Sequence, residues 1–296
     1  MKYSFMKAHE DEFSIERMSC VFKVSRSGYY RFISAKTSAR RIENIRLLEV
    51  IKKIHDANRQ VYGSPRIHAE LRAQGEQCSR KRVARLMRIE GLQAKMKRRF
   101  KRTTHVDPLA KKAPNLLKQN FKCSKPNSRW VADITYVATG EGWLYVAAIL
   151  DLFSRRIVGL AMNERMTTEL IKNALEQAIT HRRPMTGLIH HSDKGCQYTS
   201  HAFQTELLSH GIVSSMSGTG NCYDNAAMES FFHTLKTEHI YFESYKTREQ
   251  AKLSIFEYVE VFYNRKRSHS TLGYLSPMMF EIKWDQQQNI SLPGVH

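Results

Sequence analysis

Hydrophobic and polar positions along the chain fall into two regimes. Up to about residue 95, apolar residues recur at helical spacing in short blocks. "EFSIERMSCVFKVSRSGYYRFI" predicts one helix with Ile15, Met18, Val21 and Phe22 inward, a break near Val24, and a second helix capped by Ser25. A longer helix follows, with Ile45, Leu48, Ile51 and His55 on one side. In "YGSPRIHAELRAQGEQCSRKRVARLMRIEGLQA", Ser64 and Pro65 read as N-cap and N1, and Gly75 ends that helix. Ser79 then caps a further helix whose Val83, Leu86 and Met87 face inward and whose Gly91 suits the C′ position. Two helices joined by a tight turn, twice over, predict helix-turn-helix units.

After Asn127 the period changes. "RWVADITYVAT", "GWLYVAAILDLFS" and "RRIVGLAMN" predict three strands in an antiparallel meander. "TTELIKNALEQAITHR" predicts an amphipathic helix, "MTGLIHHSD" a fourth strand, "SHAFQTELLSHG" a helix and "IVSSMS" a fifth strand. Two more helical stretches close the chain, "NCYDNAAMESFFHTLKTE" and "REQAKLSIFEYVEVFYNRKR". Strands interleaved with helices in this order predict an α/β domain with a mixed sheet.

Composition divides the chain at the same place. It carries 47 Lys and Arg against 28 Asp and Glu in 296 residues, a formal charge of +19. Residues 1–125 hold 31 of the basic and 11 of the acidic residues, so the remainder is close to neutral. That asymmetry predicts a nucleic-acid-binding front end on a neutral second domain. Arg80, Lys81, Arg82, Arg85 and Arg88 form the exposed face of the Ser79-capped helix. They suit either insertion in the major groove or contact with phosphate alone. Lys97, Arg98 and Arg99 open a basic stretch without periodicity, read as a linker lying along a phosphate backbone or as a solvated tether. Five scattered cysteines without a CxxC pair argue against a zinc site and a disulfide framework. With no membrane-length apolar run and no signal-like start, they predict a reduced intracellular protein.

Candidate chemistry lies where acids interrupt apolar structure. Asp133 falls in the middle of a strand, Asp193 at the end of another, and Glu229 on a helix anchored by Ala227, Phe231 and Leu235. A carboxylate inside a strand requires a cation. Three acids beside a DNA-binding region point to metal-dependent phosphoryl transfer on nucleic acid. Singly, each has a plain alternative: an arginine partner, a turn cap, or solvent. Asp151 is a rival acid better suited to polar-strand or turn duty. His233 and Lys236 share the face of Glu229 at i+4 and i+7.

The stretches "WVADITYV", "HHSDKGCQYTS", "GNCYDNAAMESFFHTLKTE" and "YNRKRSHSTLGYLSPMMFE" occur in that order, with 35 residues between Asp193 and Glu229 and six between Glu229 and Lys236. In these motifs, and in "SRSGYY" and "YGSPRIHAELR", the chain resembles the orfB-type transposases of the third insertion-sequence family, within the superfamily that includes retroviral integrases. The resemblance implies an RNase H-like fold, α/β with a mixed sheet, behind a helical helix-turn-helix DNA-binding region. The boundaries expected are 1–95, a linker at 96–126, a catalytic core at 127–285 and a tail at 286–296. It further implies that Asp133, Asp193 and Glu229 hold two Mg²⁺ or Mn²⁺ ions for cleavage at element ends and 3′-OH strand transfer. By the same resemblance Lys236 contacts DNA, as element-terminal and target duplex, while Tyr263, Asn264, Arg267, His269 and Ser270 support the catalytic helix or touch DNA. Asn225 is expected to order its loop, and His190, His191 and His233 to be structural or near DNA. A homo-oligomer on DNA, an upstream orfA-type partner and a cytoplasmic, nucleoid-associated location are implied as well. A catalytically silent accessory role is the alternative.

Overall fold

The computed structural model describes residues 1–34, 38–95, 113–117, 123–217 and 225–291. Six helices come first: α1 (Lys2–Ala8), α2 (Ile15–Phe22), α3 (Arg26–Ser34), α4 (Ala39–Ala57), α5 (Ser64–Ala73) and α6 (Arg80–Ile89). Helix α1 has no counterpart in the sequence reading, because only Met6 of its seven residues is buried. It packs on α2 and α3 through a small cluster of Met6, Met18 and Tyr29. Two expected inward positions point outward: Val21 is 71% and Ile45 56% exposed. The buried stripe of α4 is Leu47, Ile51, Ile54 and His55, shifted from the expected one. Helix α5 begins at Ser64 with Gly63 in the cap position. Ser79 does cap α6, accepting from the Arg82 amide at 3.2 Å.

The second part is a five-stranded sheet in the order β3-β2-β1-β4-β5. Strands β1 (Arg129–Thr139), β2 (Gly142–Asp151) and β3 (Ile157–Asn163) pair antiparallel, whereas β4 (Ile189–Ser192) and β5 (Val213–Met216) run parallel to β1. The meander and both crossovers match the order of elements expected. Alternation along β1 and β2 separates two cores. Trp130, Ala132, Ala147 and Ile149 pack against α7 (Thr168–Arg182) and, beyond the short α8 (Cys196–Thr199), α9 (His201–Ser209). Val131, Val137, Val146 and Ala148 face the other way, toward α10 (Ala226–Glu238) and α11 (Arg248–Phe256). Asp133 lies on this second face.

Helix α11 continues as a π-helix over Glu257–Tyr263. Such windings occur chiefly at functional sites. Here it turns Tyr258, Val259, Phe262 and Tyr263 into the core beneath α10. The last helix, α12 (Pro277–Ser291), runs past residue 285, so the boundary expected there falls inside a helix. Its Glu281 is buried and takes Arg182, Arg156 and Ser154 as partners, which ties α12 to α7 and to the β2–β3 turn. Within the expected linker, residues 113–117 lie against β5: the Leu116 amide donates to Ser215 Oγ, the Met216 amide donates to the Pro114 carbonyl, and Leu117 is buried. This piece is part of the fold. Among the described residues no helix is long and apolar enough to cross a membrane.

Candidate active site

The site begins with strand register. β4 pairs parallel with β1, His191 opposite Val131. Asp193 follows the last residue of β4, at the carboxyl end of that strand, where open α/β sheets form their crevices, and its charge reaches Asp133. Asp193 Oδ1 accepts from the Gly195 amide at 2.9 Å, closing a turn. A Cβ at residue 195 would lie 3.0 Å from that oxygen, so glycine suits the turn. Asp133 Oδ1 accepts from the Ile134 amide at 2.8 Å.

Helix α10 supplies the third acid. Met228, Phe231, Phe232 and Leu235 are buried, each fixing the helix by about 1.5–3 kcal/mol, and Glu229 is left exposed on the remaining face. Asn225 occupies the N-cap position but makes no capping bond. Its Nδ2 donates instead to the Ala132 carbonyl at 3.2 Å, which ties the start of α10 to the strand residue preceding Asp133.

Electrostatics join these residues. Burial, then the charge of Asp193, then that of Glu229 push the Asp133 carboxyl up to about 7, against the Ile134 bond and Lys236, which lower it. Burial raises Asp193 as well. Lys236 is half-buried, lowered by burial and partly restored by Asp133, with its Nζ 5.1 Å from the centre of the Tyr136 ring. The charges of Asp193, Glu229 and Lys236 thus all reach the Asp133 carboxyl. Among the described residues, no three His, Cys, Asp or Glu side chains close into a metal cage.

The remaining predicted residues divide by role. His190 is buried against Tyr198 and Phe203, with burial pushing it down to about 3, so it is neutral. His191 bonds Ser215 and Ser217 within the β4–β5 layer. His233 is exposed. Asp151 is buried as the last residue of β2, accepting from the Asn127 and Phe153 amides and pairing with Arg182, so it serves the strand end and the turn that follows. Asn264 holds both the amide and the carbonyl of Ile157. Tyr263 packs edge-on against Phe231. Arg267 forms a two-pronged pair with Glu238, both contacts at 2.7 Å, and Tyr258 donates to the same carboxylate. The "YNRKRSHS" motif therefore braces α10.

Three residues escaped the sequence reading. Glu238 ends α10 with its side chain only 8% exposed, and Arg66 of α5 reaches it at 3.4 Å. Tyr198 is buried beneath the acids, and burial, then Asp133 and Asp193, push its hydroxyl well above the usual range. Its place in "CQYTS", just after Asp193, was the available signal.

Family models match in three places: an HTH-like domain over residues 42–100, and an integrase core domain over 124–222 and again over 229–284. Along 285 residues the chain is 43% identical to transposase InsF for insertion sequence IS3A of Escherichia coli (strain K12), covering 96% of this chain and 99% of the relative. The chain belongs to the IS3 family of insertion-sequence transposases. It is also 47% identical over 269 residues to an uncharacterized 31 kDa protein of insertion element IS600 from Shigella sonnei, covering 91% of this chain and 99% of that one. The HTLV-2 integrase catalytic core domain in complex with magnesium is similar at 15% identity and a TM-score of 0.43, over 54% of this chain and 99% of that one.

In this transposase the DNA-binding candidates do not all stand free. Arg80, Lys81, Arg85 and Arg88 of α6 are exposed. Arg82 is half-buried, and its Nε donates to Asn44 Oδ1 at 2.9 Å, so it ties α6 to α4. Lys97, Arg98 and Arg99 lie outside the described residues.

Proposed function

We infer that this transposase cuts the ends of its element and joins them to target DNA through Asp133, Asp193 and Glu229. The observation that carries the reading is the placement of Asp133 within β1, Asp193 at the end of the neighbouring β4 and Glu229 on α10 packed over that sheet face, near enough for both charges to act on Asp133. Such a site calls for cationic charge, and carboxylate oxygens are the donors that Mg²⁺ or Mn²⁺ prefer. The three acids would hold the ions, two by analogy with other phosphoryl-transfer sites. When bound, these lower the pKa of the attacking water and offset charge on the phosphoryl oxygens.

In the first step a water oxygen bonds to phosphorus at the element end as the P–O3′ bond breaks. The departing 3′ oxygen takes up a proton, and the flank keeps a 5′-phosphate. In the second step that 3′-OH bonds to a target phosphorus while the target's own P–O3′ bond breaks. One phosphodiester forms for each one lost, so no outside energy is required. Lys236 offsets phosphate charge beside the acids. Arg80, Lys81, Arg85 and Arg88, with Lys97, Arg98 and Arg99, hold the duplex. Residues 1–95 act as the DNA-binding region and 96–126 as the connection to the core. The chain works as a homo-oligomer on the nucleoid in the cytoplasm, with an upstream orfA-type product completing end recognition.

A second reading, a DNA-binding accessory without catalysis, draws on the three acids not closing into a cage among the described residues. Labelled element-end DNA with Mg²⁺ or Mn²⁺ separates the two. Cleavage by the wild type and none by Asp193→Asn supports the transposase chemistry. Equal background for both, with and without the upstream product, supports the accessory.

A further inference from the structure

Behind the acid face of α10 lies a second recess that the reaction above does not use. It has a volume of about 220 Å³ and is floored by Leu150, Phe231 and Tyr263. Around the rim stand Arg155, His269, Thr271, and Ser230 and Thr234 of α10. Ser230 follows Glu229 directly, about 100° round the helix from it. The recess therefore opens beside the catalytic face, on its own side of the helix.

Arg155 sits in the tight turn between β2 and β3, in the left-handed region at φ 61°, with its amide bonded to the Asp151 carbonyl at 2.8 Å. Among the described residues no carboxylate lies within ion-pair distance of its guanidinium. Asp151, whose charge reaches it, is engaged by Asn127, Phe153 and Arg182. The neighbourhood is positive: Arg267, Arg155 and Arg66, after burial, push His269 down to about 4. Among the described residues Glu238 is the carboxylate that counters this field at His269, and it is already taken by Arg267 and Arg66. His269 Nδ1 shares a hydrogen bond with Thr271 Oγ1 at 2.9 Å. Ser230, Thr234 and Thr271 line the same recess as this arginine, whose backbone the turn already fixes.

We propose that this recess binds a phosphate of the DNA backbone, with Arg155 as the charged contact and the rim hydroxyls as further donors. The proposal rests on the reading of this chain as a DNA-cutting transposase. Because Ser230 is next to Glu229, the phosphate held belongs to a strand crossing α10 beside the scissile position. Arg155 would then fix the register of that strand on the helix bearing Glu229.

The test is DNA binding by the full chain without divalent cation, where no strand is cut, over roughly 50–200 mM salt. Arg155→Gln keeps a side chain that tolerates this backbone no worse than arginine, and Ser230→Asp places a like charge on an exposed helix position. Losing one phosphate contact lowers the slope of log affinity against log salt by about 0.9. We expect that change for Arg155→Gln, with about ten-fold weaker binding at the low-salt end, and a loss at least as large for Ser230→Asp. Inorganic phosphate should also move the His269 imidazole NMR signals in the wild type and leave them still in Arg155→Gln. An unchanged slope in a variant of unchanged melting temperature overturns the proposal. So does a His269 response to inorganic phosphate without any change in DNA slope, which would assign the recess to free phosphate. Failure of DNA cleavage would remove the catalytic reading yet leave this binding measurement legible.

Discussion

The Nζ of Lys236 stands 5.1 Å from the centre of the Tyr136 ring, so a cation from α10 lies over the strand that carries Asp133. A ring face attracts a cation, and here it holds the ammonium within the field of the carboxyl. Lys236→Gln removes the charge while leaving most of the side chain. DNA cleavage is expected to fall about ten-fold or more, with a salt slope lower by about one unit. Single-turnover cleavage and a salt titration check both. Unchanged values would mean that the ammonium serves the ring alone.

Asp133 makes the metal-free protein sensitive to pH in a direction opposite to that of a salt-bridged acid. Its folded value is about 7 against 3.8 for the free side chain. Between those values the folded state binds more protons than the unfolded state, so this group lowers stability as pH rises from about 4 to about 7. Asp133→Asn removes that slope. Without divalent ions the variant should melt higher than wild type by about 2–4 °C at pH 8 for each kcal/mol relieved, with little difference near pH 4. Melting curves across that range decide it, and a variant that melts lower at pH 8 would contradict the account.

Glu238 and Arg267 carry the opposite sign. Their side chains are only 8% and 5% exposed, and although burial raises the Glu238 carboxyl, the Arg267 bonds outweigh it and hold Glu238 below the usual carboxylate value. Its contribution is present above the ordinary glutamate range and is lost as pH falls through the depressed value. Arg267→Ala leaves the carboxylate buried with only Arg66 and Tyr258, and should cost about 3–5 kcal/mol in urea denaturation. Arg66→Ala should cost less, since that side chain is partly exposed and 3.4 Å away.

Arg82 and Arg85 are neighbours on α6 with different duties. Arg82→Ala breaks the bond to Asn44 and should cost about 1 kcal/mol of stability with a small effect on DNA. Arg85→Ala should leave stability unchanged and reduce the salt slope of DNA binding by about one unit. Denaturation and binding on the same two proteins separate these outcomes.

The order of strands and helices was legible because period-two and period-3.6 patterns are local, and the acids were legible because each interrupts such a pattern. What could not be read depends on contacts distant in sequence. Arg66 and Glu238 are 172 residues apart, and nothing in either segment names the other. Arg82 looks like its basic neighbours until α4 brings Asn44 beside it. The stripe of α4 was misplaced because Ile45 and Leu47 suit a core equally well by composition, and packing selects Leu47. Asn225 is expected to order its loop, and it is the carbonyl of Ala132 on β1, 93 residues away, that takes its side chain. The π-helix follows from packing beneath α10, and sequence preference carries no mark of it.

Joining of a pre-cut element end to plasmid DNA tests the central claim most directly, because it supplies the 3′-OH and bypasses the first cut. With Mg²⁺ or Mn²⁺ the wild type, together with the upstream product if required, should join strands. Asp133→Asn, Asp193→Asn and Glu229→Gln should each fall to background while still binding DNA. A folded variant of any of the three that joins ends at the wild-type rate would contradict the assignment of these acids as the catalytic set.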